Sequence, residues 1–378
     1  MSAILICADS IRSPDMRHAV PVAVPDPFLY VERDGTRAAV VTAFEAPRIA
    51  AADPGVETMP PETLGIDELL AAGMPVAAAL LEVYARACAR LEVASAAVPP
   101  DFPLELADHL RAAGVEITVD RDAFESRRRS KNATEVEGLR RAQRACEAAL
   151  DASRALLRAA DASGPALLLD GEPLTCERIK LEVERVLSAH GIVAGEFIVS
   201  HGAQTAVAHD LGSGPIAPGE PVVFDLFPHD RATGVYSDMT RTYVVGSPPE
   251  EIVRYHELCL EALRLATAAA KPGVNGKELM RIVCDFFAGH GYPTPLTKQP
   301  GEVLESGFVH GLGHGVGLQV HEKPHISRSG DDLVPGDVIT LEPGLYRAGF
   351  GGVRLEDILL VTDDGAEIVT KYPYELAP

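Results

Sequence analysis

Apolar positions in the first third of the chain fall in short runs, AILIC at 3–7, PFLYVE at 27–32 and AAVVTAF at 38–44, which predict strands. Ala- and Leu-rich stretches between them, such as 75–89, predict helices, so residues 1–128 read as a small α/β domain. A basic run, SRRRSKN at 126–132, then separates this region from a long helical pattern and reads most simply as a solvated connector. In that pattern Val136, Leu139, Cys146, Ala149, Leu150, Leu156 and Leu157 share one helical face, and Ile179, Val183, Val186 and Leu187 mark a second helix ending at His190-Gly191. Strand-like runs follow at 197–200, 222–227 and 242–245. The order then repeats: two helices, one through Ile252, Cys259 and Leu263 and one through Leu279, Val283 and Phe287, ending at His290-Gly291, precede strands around GFVHG, DVITLE, EDILLV and EIV. Residues 129–378 therefore read as a second α/β (α+β) domain of two duplicated halves, with a site between them drawing residues from both.

Composition narrows the class. A hydrophobic share of 47% with 24% charged residues fits a folded globular chain and excludes a disordered one. The formal charge of -21 argues against nucleic acid or an anionic membrane surface as a partner. Six scattered cysteines without a C-x-x-C pair read as buried thiols, and with no leader-like start and no long apolar run the expected location is the cytoplasm.

Two features carry chemistry. The first is the segment 310–322, HGLGHGVGLQVHE, in which three histidines stand among alternating glycines that disfavour a helix and let the backbone pass close to a neighbour. Its continuation, His321-Glu322-Lys323-Pro324-His325, matches H-E-x-x-H in letters. That zinc motif needs one helix face, and Pro324 removes the helix. The second feature is a set of acids in apolar strands: Asp225 in VVFDLF, Glu342 in VITLEPG and Glu356 in VRLEDILLV, with Asp238 at a strand start. A buried carboxylate is costly unless it is paired or binds a cation, and four of them beside a glycine-flanked histidine point to a metal site. Four carboxylates offset two divalent ions, and oxygen ligands with one imidazole suit Mn, Co, Fe or Zn. Such a pair activates water near neutral pH and polarises the carbonyl it attacks, which is hydrolysis without a nucleophilic side chain. No G-x-S-x-G elbow or P-loop competes.

The order Asp225, Asp238, His314, Glu342, Glu356, within the strings SDMTRT, HGLGHGVGLQVHE, TLEPGLY and VRLEDILLV, resembles the five-ligand set of the pita-bread-fold metallopeptidases, over about residues 131–375. The N-terminal region resembles the creatinase-type domain of the Xaa-Pro branch, the prolidases and aminopeptidases P. The resemblance implies a pita-bread catalytic domain of two pseudo-twofold halves. It implies that Asp225 chelates one metal, His314 and Glu342 the other, and that Asp238 and Glu356 bridge both, with Mn favoured. It further implies that His321 hydrogen-bonds the scissile peptide, that His209 and His310 line the pocket for the residue after the cut, and that Glu342 takes the proton of the attacking water. Arg354 alternates with Glu356 and is expected to share its face, either reaching a substrate carboxylate or balancing the acids.

One departure is the spacing of Asp225 and Asp238, 13 positions where the family usually shows two fewer. The intervening hairpin must be longer, which puts His229 and Asp230 beside the site or, alternatively, in place of a ligand. The expected activity is hydrolysis of the Xaa-Pro bond at a peptide N-terminus, with the dipeptidase favoured over the aminopeptidase because Arg354 suits a terminal proline carboxylate. The alternatives are a methionine aminopeptidase, a creatinase-like hydrolase and an inactive binding protein on the same scaffold. Short proline-containing peptides are the expected partners, and a homodimer is left open.

Overall fold

The computed structural model describes residues 2–378. The chain forms two compact units, one of residues up to Arg128 with Ala232–Gly234, the other of Arg129–Arg231 with Val235–Pro378.

The first unit is built on a six-stranded sheet in the order Val56–Thr58, Thr36–Val40, Phe28–Arg33, Ala3–Ala8, Ser95–Val98, Glu116–Val119. Its three central strands are antiparallel and the flanking strands join parallel. One face is covered by Val83 and Ala87 of helix Val76–Arg90 and by Leu106 and Leu110 of helix Leu104–Ala112, which pack on Leu5 and Leu29. The other face holds Met16, Tyr30 and Phe124.

In the second unit the long helix Ala133–Ala159 begins at a capping box in which the Asn132 side chain accepts from the Glu135 amide and Glu135 accepts from the Asn132 amide. Helix Cys176–Ala189, capped by Thr175, packs beside it. Together they cover an antiparallel sheet of Ile198–His201, Pro221–Leu226 and Met239–Val244 through a core that includes Cys146, Leu150, Val183 and Phe224. Helices Glu250–Ala269 and Gly276–Gly289 repeat the arrangement over Val338–Leu341 and Asp357–Val361, with Cys259, Val283, Leu341 and Leu359 in the core. The helix-pair-then-sheet order read from the sequence thus occurs twice. The GFVHG segment is the weakest match, contributing only the short strand Ser306–Gly307.

The basic run is not a solvated connector. Arg127 pairs with Glu32 at 2.6 Å and Arg128 with Asp15 at 3.0 Å, whereas Arg129 pairs with Asp337 at 2.6 Å and Lys131 forms a buried ion pair with Glu322. Each cation takes a carboxylate distant in sequence, which composition alone does not reveal. The H-E-x-x-H letters lie on an extended strand, Glu322–Ile326, as Pro324 required, and the ion pair with Lys131 occupies the glutamate that a zinc site would use as its base.

Candidate metal and peptide-binding site

The site is formed where the ends of four chain segments meet. Asp225 lies inside strand Pro221–Leu226, while Asp238 immediately precedes Met239–Val244, Glu342 immediately follows Val338–Leu341 and Glu356 immediately precedes Asp357–Val361. Three of the four acids are therefore at strand ends, where the backbone can turn them toward a common point without losing ladder hydrogen bonds. The glycines fix the histidine: strand Gly313–Gly315 is wedged so tightly that a Cβ at Gly313 would fall 2.0 Å from the Thr340 carbonyl oxygen, and one at Gly315 2.1 Å from that of Lys323. His314 between them projects toward the acids.

Asp238, His314 and Glu356 each place a ligand atom within 4.8 Å of the other two. His314 Nε2 stands 3.7 Å from Asp238 and 3.8 Å from Glu342. Asp225 is turned to Arg354, which donates to it at 2.6 Å. Arg354 and Glu356 do share a face: the Thr240 hydroxyl donates to Glu356 at 2.7 Å and lies 3.4 Å from Arg354 Nε. Arg354 also donates to the Tyr346 hydroxyl at 3.0 Å, and Tyr346 Oη lies 2.9 Å from His310 Nε2. Since His310 Nδ1 is 2.6 Å from the Gly311 carbonyl, the consistent tautomer has Nδ1 donating to that carbonyl and Nε2 accepting from Tyr346. Both ring nitrogens are engaged, so His310 offers the cavity its ring rather than a free donor. His321 packs edge-to-face on His314 with centroids 4.2 Å apart.

All nine side chains singled out in the sequence, His209, Asp225, Asp238, His310, His314, His321, Glu342, Arg354 and Glu356, line one cavity of about 760 Å³. Sequence reasoning missed Tyr346 and Thr240. Tyr346 stands four positions after Glu342 and Thr240 two after Asp238, both even separations, so strand alternation was the available signal.

The longer hairpin places His229 and Asp230 apart from the clustered acids. His229-Asp230 forms a short pairing with Ile192–Val193, and Asp230 is held by Arg141 at 2.8 Å. Neither residue belongs to the three-ligand cluster or the cavity lining.

Electrostatically the four acids outnumber the Arg354 guanidinium beside them. Burial, reinforced by Glu356, Asp225 and Glu342, raises the Asp238 carboxyl well above its usual range; burial and Glu356 do the same to Glu342. Glu356 is pushed up to about 8, by burial first and Asp225 second. Burial and the nearby His321 lower His314 to about 3, and burial lowers His310 to about 4, so both imidazoles are neutral. Asp238 Oδ1 is buried with no hydrogen-bond partner. A neutral imidazole, an orphaned carboxylate oxygen and three further acids repelling it are a donor set that fits divalent cations of the harder kind.

Residues 137–363 match the profile of metallopeptidase family M24. An Xaa-Pro dipeptidase of Pyrococcus furiosus is 39% identical over 205 residues, covering 52% of this chain and 54% of that protein, so the chain spans about half the length of such curated relatives. Among solved structures, the prolidase of Pyrococcus horikoshii OT3 superposes over 100% of this chain and 95% of its own, with TM-score 0.75 and 27% identity. The dipeptidase PepE of Mycobacterium ulcerans also covers 100% of this chain and 93% of its own, with TM-score 0.74 and 27% identity.

Proposed function

Because this chain belongs to metallopeptidase family M24, with its pita-bread fold, we propose that it is a metal-dependent exopeptidase hydrolysing the Xaa-Pro bond at a peptide N-terminus, with Xaa-Pro dipeptides favoured over longer peptides. The observation that carries this reading is the convergence of four acids and His314 in one cavity with three more histidines and Arg354. The likeness to an Xaa-Pro dipeptidase supports the substrate class. A creatinase-like hydrolase that needs no metal leaves the buried acids without a counter-charge, which is why that alternative is set aside.

In this proposal two divalent ions, with Mn favoured over Co, Fe and Zn, would be held by Asp225, Asp238, His314, Glu342 and Glu356. When bound, they supply Lewis-acid polarisation of the scissile carbonyl and acidify the attacking water. The protein does the rest. Glu342, whose buried carboxyl has a raised affinity for protons, takes the proton of the water and passes it to the departing proline nitrogen. His321, kept neutral by burial and by the neighbouring His209, donates to the oxygen that gains negative charge. The ring of His310, fixed by Gly311 and Tyr346, forms with His209 an apolar-edged wall for the proline. Arg354 is 4% exposed, and its donors face Asp225, Tyr346 and Thr240. It holds Asp225 in place, and a terminal proline carboxylate reaches it only by sharing these donors.

Residues 1–128 and 129–378 are proposed as the N-terminal and catalytic domains of a cytoplasmic enzyme, and sedimentation would test its assembly as a homodimer. Among the described residues no helix is long and apolar enough to cross a membrane. The decisive assay compares Ala-Pro with Ala-Pro-Ala and a pentapeptide of the same start, on enzyme reconstituted with Mn, alongside a methionyl peptide lacking proline. Faster cleavage of Ala-Pro supports the dipeptidase; faster cleavage of the longer peptides makes it an aminopeptidase, and cleavage of the methionyl peptide alone overturns the proline preference.

A further inference from the structure

The cavity wall carries one acid that neither the metal cluster nor the mechanism uses. Glu196 lines the same space as the four carboxylates, yet it is exposed and, among the described residues, takes part in no hydrogen bond or ion pair. It stands two residues before Ile198, and Ile198 is directly opposite Asp225 in the sheet register. Two residues of chain span at most about 7 Å, so Glu196 lies about one extended side chain away from the level of Asp225. Apolar side chains line the cavity as well: Ile198, Leu211, Phe227 and Val320.

We propose that Glu196 makes the pocket for the residue before the scissile bond selective for a basic side chain, so that Lys-Pro and Arg-Pro are better substrates than apolar Xaa-Pro. The inference rests on the Xaa-Pro exopeptidase reading and deepens it. The substrate's α-ammonium is one bond from the carbon that carries the scissile carbonyl, which keeps it beside the metal-binding acids and out of reach of Glu196. A lysine or arginine side chain has the required shape: an aliphatic stem that packs on Ile198, Leu211 and Phe227, and a charged tip that remains near solvent at an exposed carboxylate. An apolar wall ending in an unpaired acid accepts an aliphatic side chain too, but gives its tip no partner.

The test uses Lys-Pro and norleucine-Pro, which differ by the ammonium group alone, on metal-reconstituted wild type, Glu196→Gln and Glu196→Lys. The expected kcat/KM ratio favours Lys-Pro by about fivefold in wild type, carried by KM, as for an ion pair at a partly solvated site. The ratio falls to near one in Glu196→Gln, inverts in Glu196→Lys and shrinks with added salt. A ratio that is the same in wild type and Glu196→Gln overturns the proposal. Calorimetric binding of free lysine and norleucine to the same proteins separates the two levels of inference. If neither dipeptide is hydrolysed but wild type still prefers lysine and Glu196→Gln does not, the Xaa-Pro reading fails and the basic pocket stands; equal binding of both amino acids overturns the pocket.

Discussion

Glu356 and Asp357 are consecutive, both at most 2% exposed, and their surroundings are opposite. Asp357 sits in a finished knot. Arg241, itself fully buried, donates to it at 2.9 Å, and the Tyr374 hydroxyl donates to its other oxygen. The same guanidinium donates to the carbonyls of Thr240, Glu356, Tyr372 and Pro373 and stacks on the Tyr374 ring at 4.5 Å. Glu356 receives the Thr240 hydroxyl and otherwise faces Asp225, which repels it. A buried acid completed by the protein is architecture; one left incomplete beside three others marks where a cation from outside belongs. The knot also ties the start of the strand after Glu356 to the strand after Asp238, so it holds the two central acids of the incomplete cluster in register.

The largest effect expected from breaking this contrast is at the incomplete acids. Asp238→Asn or Glu356→Gln should lower kcat/KM by about 1,000-fold or more, the loss of several kcal/mol of charge stabilisation, and reduce bound metal measured by elemental analysis. Asp225→Asn should cost less, since Asp225 already shares its charge with Arg354. The contrast predicts a second, opposite sign: without metal at pH 8, Glu356→Gln should be more stable than the parent protein, because it removes a repelling charge. A metal stoichiometry unchanged in both central variants would sink the assignment.

At the completed knot the expectation reverses. Arg241→Ala leaves Asp357 buried without a counter-charge, with the Tyr374 hydroxyl still donating to it, and should cost about 3–5 kcal/mol in denaturant unfolding whether or not metal is present. If Arg241→Ala instead unfolds like wild type and loses only metal, the knot is part of the metal site and the two regions are not distinct. A smaller effect, about 100-fold in kcat with metal retained, is expected for His321→Ala, the loss of one hydrogen bond to developing charge. Loss of metal in that variant, with His314→Ala retaining it, would exchange the two histidine roles.

Much of the second unit is legible in the sequence because its helices are strongly periodic and its caps are local: Asn132 with Glu135, Thr175 and Asn275 all mark helix starts within three residues of the hydrogen bond they make. The acids and glycine-flanked histidine are legible for a related reason, since each breaks the pattern of its own strand. What is not legible depends on partners far apart in the chain. Nothing near Arg354 indicates that Asp225 occupies it, and nothing near Arg127, Arg128, Arg129 or Lys131 names Glu32, Asp15, Asp337 or Glu322. The letters of H-E-x-x-H mislead until backbone geometry is considered, and Pro324 supplies that correction locally.

The smallest predicted effect is a pH dependence that distinguishes the two buried acids without any substitution. In the metal-free protein Glu356 has its carboxyl raised from 4.5 to about 8, with Asp238 and Glu342 raised in the same direction. Between those two values the folded protein holds protons that the unfolded chain has released. A raised carboxyl therefore contributes stability that is fully present below about pH 4.5 and is lost as pH rises through about 8, at up to about 1.4 kcal/mol per pH unit for each proton. Divalent metal replaces those protons, so its stabilising effect must grow over the same interval. With free metal at about 100 times its dissociation constant the gain is about 2.7 kcal/mol, and since affinity itself rises with pH, the gain at pH 8 should exceed that at pH 5.5 by about 1–2 kcal/mol at equal Mn concentration. Unfolding midpoints measured with Mn and with chelator at both pH values test this, and Glu356→Gln should flatten the difference because one titrating acid is gone. A metal-free protein that gains stability from pH 5.5 to 8, or a metal effect independent of pH, would mean that the cluster is already compensated within the chain, and the contrast between Glu356 and Asp357 would disappear.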